Sequence, residues 1–159
     1  MQLQPSFIPA YVNYADNLSN QGKESKAAKI LQLGIQNNPT SADLYHALGL
    51  SQVRQKNIET AIKSLAHAVT LNSNNRRYTY VYAIALHSAG KIKPAIKQLK
   101  ILVQQNPEDI DALYTLVSFN KDIGNTDLAL SYAKKLQLLM PNNSNIKNLI
   151  KTLKTTDKK

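Results

Sequence analysis

The sequence predicts an all-α solenoid of four helix–turn–helix repeats closed by a C-terminal helix. Three columns at a 34-residue spacing carry that prediction. A small residue recurs at Ala27, Ala61, Ala95 and Ala129, and a turn residue at Gly22, Lys56, Gly90 and Gly124. A closing residue recurs at Pro39, Ser73, Pro107 and Pro141. Independent columns that agree on one period mark an array in which each repeat buries its apolar face on its neighbours. The registers run 8–41, 42–75, 76–109 and 110–143.

Each column has a physical reason. Glycine permits the left-handed backbone that ends a first helix in a tight turn; Lys56 stands there in the second repeat. Proline cannot continue a helix, so it closes the second one. Just beyond it, Ser41, Asn75, Asp109 and Asn143 keep the same spacing, and all are preferred N-caps for the next helix. The alanines let two helices approach closely, and a larger side chain there overpacks.

The ends differ from the repeats. In 144–155, Ile146, Leu149, Ile150 and Leu153 fall at i, i+3, i+4 and i+7, opposite a lysine and asparagine face. This predicts a capping helix with a polar outer side, followed by a frayed tail at 156–159. At the start, Pro5 lies one period before Pro39. Residues 1–7 therefore read as the tail of a preceding repeat, and the chain as the C-terminal part of a longer array.

Composition narrows the chemistry. The 159 residues contain no cysteine, which removes disulfides, thiolate metal sites, a cysteine nucleophile and covalent haem attachment, and leaves the compartment open. No run of about 18 apolar residues is present, so membrane insertion is not expected. The basic start of a secretory signal is missing too. A net charge of +10 raises the question of acidic partners. The lysines fall mainly on the second helices and the tail, at Lys63, Lys93, Lys97, Lys100, Lys134, Lys135, Lys147, Lys151 and Lys154, as solvated outer faces would place them.

The second repeat resembles the tetratricopeptide repeat (TPR), with Tyr45, Leu48, Gly49, Ala61 and Leu65 on signature positions and Gln52 and Ser73 departing from them. The other repeats place Tyr11, Tyr14, Ala15, Ala27 and Pro39; Tyr82, Ala83, Leu86, Ala95 and Pro107; and Leu116, Val117, Ala129 and Pro141 likewise. The resemblance implies a right-handed superhelix whose first helices line a concave groove that binds a protein or peptide. It places in that groove Val12, Asn13 and Asp16; His46, Ala47, Leu50, Val53 and Arg54; and Arg77, Tyr80, Val81, Ile84 and His87. The fourth repeat adds Asp111, Tyr114, Thr115, Ser118 and Lys121. Tyr80 and Tyr114 are the expected anchors, since rigid amphipathic rings dominate many interfaces. The clamp of chaperone-tail-binding members would fall at Val12, Asp16, Ala47, Arg77 and Val81, where only Arg77 fits, so that subtype is not expected. PAYVNYAD, LYHALGLSQVRQKN and RRYTYVYAIALHSAGK are also similar to C-terminal repeats of bacterial TPR proteins, some with an upstream multihaem cytochrome c region. That narrower resemblance implies a periplasmic setting if the whole protein is exported; a cytoplasmic one is the default.

Neither an enzyme nor a cofactor is expected. The three histidines, His46, His67 and His87, offer no converging ligand set, and no nucleophile motif or phosphate-cradling loop occurs. Two other functions compete with groove binding. One is RNA binding, disfavoured because the lysines lie away from the groove, although Arg76 and Arg77 neighbour Tyr78 and Tyr80. The other is homo-oligomerisation through an uncapped N-terminal end.

Overall fold

A computed structural model describes residues 7–156. Residues 1–6 of the expected tail of a preceding repeat and 157–159 of the expected frayed end lie outside the described residues; Phe7 is the N-cap of α1 and Thr156 is still helical. Among the described residues there are nine α-helices and no strand: α1 (Ile8–Asn20), α2 (Glu24–Asn37), α3 (Ala42–Arg54), α4 (Ile58–Leu71), α5 (Arg76–Ser88), α6 (Ile92–Gln105), α7 (Ile110–Asp122), α8 (Thr126–Leu139) and α9 (Ser144–Thr156). The odd-numbered helices begin at Ile8, Ala42, Arg76, Ile110 and Ser144, so the sequence period is also the helix period. Helix α9 therefore starts in the register of a further first helix.

The chain divides into two compact units, Met1–Ala89 and Gly90–Lys159. In the first, α1 pairs with α2 and α3 with α4, while α2 packs on α3, α4 on α5, and α1 on α3. Its core includes Tyr11, Leu31, Leu44 and Leu65. In the second, α6 packs on α7, α7 on α8, and α8 on α9. Here Leu99, Leu113, Leu116, Leu136 and Ile146 are the large buried side chains. The α9 face made by Ile146, Ile150 and Leu153 is buried, with its lysines exposed, as expected of a cap.

The local devices act as the sequence predicts. Ser41, Asn75, Asp109 and Asn143 each accept a hydrogen bond at a helix start, from the backbone N–H of Leu44, Tyr78, Ala112 and Ile146 at 3.0–3.4 Å. All four column alanines are fully buried. Each even-numbered helix ends two residues before the closing position. Asn72, which precedes Ser73, is as extended (φ −147°) as Asn38 before Pro39 (φ −138°), so this bend does not depend on proline.

Gly22, Gly90 and Gly124 have φ near +73°, and Lys56 takes the same left-handed backbone at +62°. The Lys56 N–H donates to the Val53 carbonyl and that of Asn57 to the Gln52 carbonyl, both at 2.9 Å. The turn is thus complete despite the side chain, which costs about 1–2 kcal/mol in that conformation. Part of this is recovered in glycine, whose unfolded chain is freer. Lys56→Gly should stabilise the protein by about 0.5–1 kcal/mol, read as a higher urea midpoint with an unchanged m-value.

Candidate functional site

Helices α1, α3 and α5 present one face of the first unit, and two cavities open on it. The first, of about 280 Å³, is lined by α1 residues including Val12, Asn13 and Asp16, by Asp43, His46, Ala47 and Leu50 of α3, and by Arg77 and Tyr78 of α5. The second, of about 260 Å³, is mostly apolar, lined by Leu50 and Val53 of α3, Ile58 of α4, and Tyr80, Val81, Ile84, Ala85 and Ser88 of α5. Leu50 lines both, so the two are neighbours. One is polar and the other greasy.

His46 sits deep in the polar cavity. Its side chain is only 5% exposed, and neither ring nitrogen has a hydrogen-bond partner among the described residues. The ring lies against Tyr78, with centroids 4.6 Å apart. Burial, followed by the like charge of Arg77, pushes His46 down from 6.5 to about 4, with Asp43 acting the other way. A neutral imidazole offers one donor and one acceptor. The Tyr78 hydroxyl donates to the Asp43 carboxylate. Burial, the hydrogen bond to Asp43 and the Asp43 charge push the Tyr78 phenol up to about 12, against Arg77. This tie spans α3 and α5 and fixes the ring that covers His46.

The residues that the sequence assigns to a groove divide four ways. His46, Leu50 and Arg77 line the polar cavity, and Leu50, Tyr80 and Ile84 the apolar one. His46 lies at the base of its cavity, a depth that its groove register in the sequence does not specify. Arg54 lines neither. Its guanidinium turns to α2 and pairs with Glu24 at 2.6 Å, and it also donates to Ser19 at 3.0 Å. His87 is half-buried and lines neither cavity. Tyr114, Ser118 and Lys121 lie on α7, in the second unit; Tyr114 is half-buried, the other two exposed.

Two features escape sequence reasoning. Glu24, at the start of α2, accepts from Ser19, Ser51 and Arg54 at once. Burial alone would raise its carboxyl, but the hydrogen bonds from Ser51, Arg54 and Ser19 and the Arg54 charge hold it below its ordinary value. The Asp43–Tyr78 bond is the second. Its 35-residue separation, one period plus one, is a signal that could have located it. Among the described residues no group of three or more histidine and carboxylate side chains could hold a metal, and no helix is long and apolar enough to cross a membrane.

The family model of the tetratricopeptide repeat matches residues 42–75, which hold the α3–α4 pair. Residues 42–75 thus carry a tetratricopeptide repeat. Human protein O-mannosyl-transferase TMTC3 is 23% identical over 120 residues, covering 73% of this chain and 13% of that protein. Among solved structures, MamA superposes with a TM-score of 0.79 at 20% identity, over 92% of this chain and 80% of that one. YrrB, described as a TPR protein with an unusual peptide-binding site, gives 0.76 at 19%, over 93% and 76%. A TPR protein from Parabacteroides merdae gives 0.83 at 18%, over 94% and 60%. At these identities the likeness to the solved structures is one of fold. Proteins of the TPR fold are generally protein-interaction scaffolds.

Proposed function

We propose that the α1–α3–α5 face of the first unit is a non-enzymatic docking face for a partner peptide, which places one polar and one apolar side chain in the two cavities. The observation that carries this reading is the pairing of the cavities across Leu50. Concave sites of this size, mostly apolar with a few placed polar groups, suit single anchoring side chains. In the polar cavity, the unpartnered His46 nitrogens can hydrogen-bond the anchor, while Asn13 and Arg77 stand among its lining. Exposed Ile84 and half-buried Tyr80 border the apolar one. The shared fold with YrrB, a protein described as having a peptide-binding site, is consistent with this use.

A peptide library displayed on phage and selected on the purified protein tests the reading. Selected peptides should share an apolar residue close to a polar one. Tyr80→Ala should weaken them by about 2 kcal/mol, and Leu50→Arg, which puts a charge on the wall that the two cavities share, by more. Circular dichroism would check that both variants stay folded. Peptides whose affinity survives both substitutions bind elsewhere, and the reading fails.

A further inference from the structure

We propose that the α6–α8 side of the second unit is a separate docking surface, for an acidic amphipathic segment of a partner protein. A cavity of about 310 Å³ opens there. Lys93, Lys97 and Lys100 border it from α6, and Ile96, Ile123 and Leu128 supply its apolar lining. A second cavity, of about 360 Å³, also uses Lys100 and adds Val103, Tyr132 and Lys135. Lys100 lines both, so the two are neighbours. At the base of the first lies Asn120, wholly buried. Its amide donates to the Leu116 carbonyl at 2.7 Å while its Oδ1 has no partner.

A solvated lysine face would account for the charges alone, but it leaves two observations unexplained. Lysines on such faces are commonly interleaved with acids one turn away. Helix α6 contains no acid and α8 only Asp127, and none of Lys93, Lys97 or Lys100 makes an ion pair with a described carboxylate. The ammonium groups also flank a recess with an aliphatic lining rather than a flat polar surface, and Leu128 is left 41% exposed in it. Lysine stems can cover apolar lining while their heads remain in water.

The occupant must therefore bring apolar side chains and negative charge together. A membrane surface meets a protein through projecting apolar groups, whereas here Ile96 is buried, Ile123 is half-buried and Leu128 alone of the three is exposed. Single-stranded nucleic acid needs aromatic platforms. Tyr132 is the one aromatic residue lining the two cavities, and the Lys135 ammonium already lies 5.7 Å from its ring centre. A peptide with leucine or isoleucine on one side and aspartate or glutamate on the other meets both demands. Its apolar residues enter the cavities, its carboxylates meet the lysines, and Asn120 Oδ1 is an acceptor for an N–H that reaches the base.

The test uses the full chain and two labelled synthetic amphipathic peptides, one of leucine and glutamate, the other of leucine and lysine. Fluorescence anisotropy should show saturable, salt-sensitive binding of the glutamate peptide alone. Lys97→Glu with Lys100→Glu should weaken it about tenfold or more; Leu128→Ser, which keeps every charge, should weaken it several-fold. Methyl resonances of Ile96, Ile123 and Leu128 should shift on titration. Leu50→Arg should leave this binding intact. Equal binding of polyglutamate without leucine would reduce the surface to non-specific charge and overturn the proposal. So would unchanged affinity in both variants, or tighter binding of anionic vesicles or generic RNA that the same charge reversal abolishes.

Discussion

Leu65→Ala is expected to destabilise the first unit by about 2–5 kcal/mol, and a second substitution, Gly49→Ala, to return part of that loss. Leu65 is fully buried, so truncation removes its transfer energy and leaves a cavity that the helices close only partly. Gly49 explains why the site is tight. A Cβ placed there would stand 2.6 Å from Leu65 Cγ and 2.7 Å from its Cδ2, with the Ala61 carbonyl oxygen at 3.4 Å. Two effects oppose each other in Gly49→Ala alone. Helix propensity favours alanine by about 1 kcal/mol, while overpacking costs about 1–3 kcal/mol. Overpacking wins, because Leu65 cannot retreat where Ala61 is also fully buried. In the double variant the new methyl enters space that Leu65 has vacated. Its clash is gone and its helical advantage remains. Urea unfolding of the four proteins gives the coupling directly, and it should exceed 0.5 kcal/mol. Strict additivity would mean that the two positions do not meet.

That contact also shows which parts of this chain are legible from sequence. The repeat columns could be read because each is a local demand: Gly124 for a left-handed turn, Asp109 for an N-cap, Ala61 for a close helix approach. Lys56 shows how strong the demand is, since it takes the glycine conformation without being glycine. The face of α1, α3 and α5 was legible only as a register, from which the depth of a residue does not follow. His46 and Arg54 hold equivalent expectations in sequence. In the fold one is covered by the ring of Tyr78 and the other is drawn to Glu24. Those outcomes depend on partners 32 and 30 residues away, which no helical periodicity specifies. The lysines of α6 differ again. Their exposure was legible, but the recess that they border was not, because two of its apolar residues, Ile123 and Leu128, lie outside α6.

Lowering the pH from about 6.5 to about 4 should destabilise the first unit through His46, and His46→Gln should remove that part of the dependence. The unfolded histidine takes up its proton near 6.5, whereas the folded one, held down first by burial and then by Arg77, does so near 4. Between those values the unfolded state binds more protons, so stability rises with pH across the window and falls as acid is added. Each pH unit inside it is worth at most about 1.4 kcal/mol, and the whole window about 2–3 kcal/mol. Asp43 favours the charged imidazole, but its carboxylate is already engaged by the Tyr78 hydroxyl, so it offsets burial only in part. Glu24 contributes with the same sign but lower on the scale. Its folded carboxyl is held below 4.5, so its stabilisation is present above that value and is lost as pH falls through the lower folded one. Unfolding curves at pH 7, 6 and 5 therefore isolate His46 before Glu24 responds. A wild-type slope that matches the His46→Gln slope over this range would place the imidazole in water rather than at the base of the cavity. A selected peptide gives the matching functional readout. An acceptor seated against His46 should tighten its binding as pH falls toward 5, since protonation supplies a second donor, and this gain should vanish in His46→Gln.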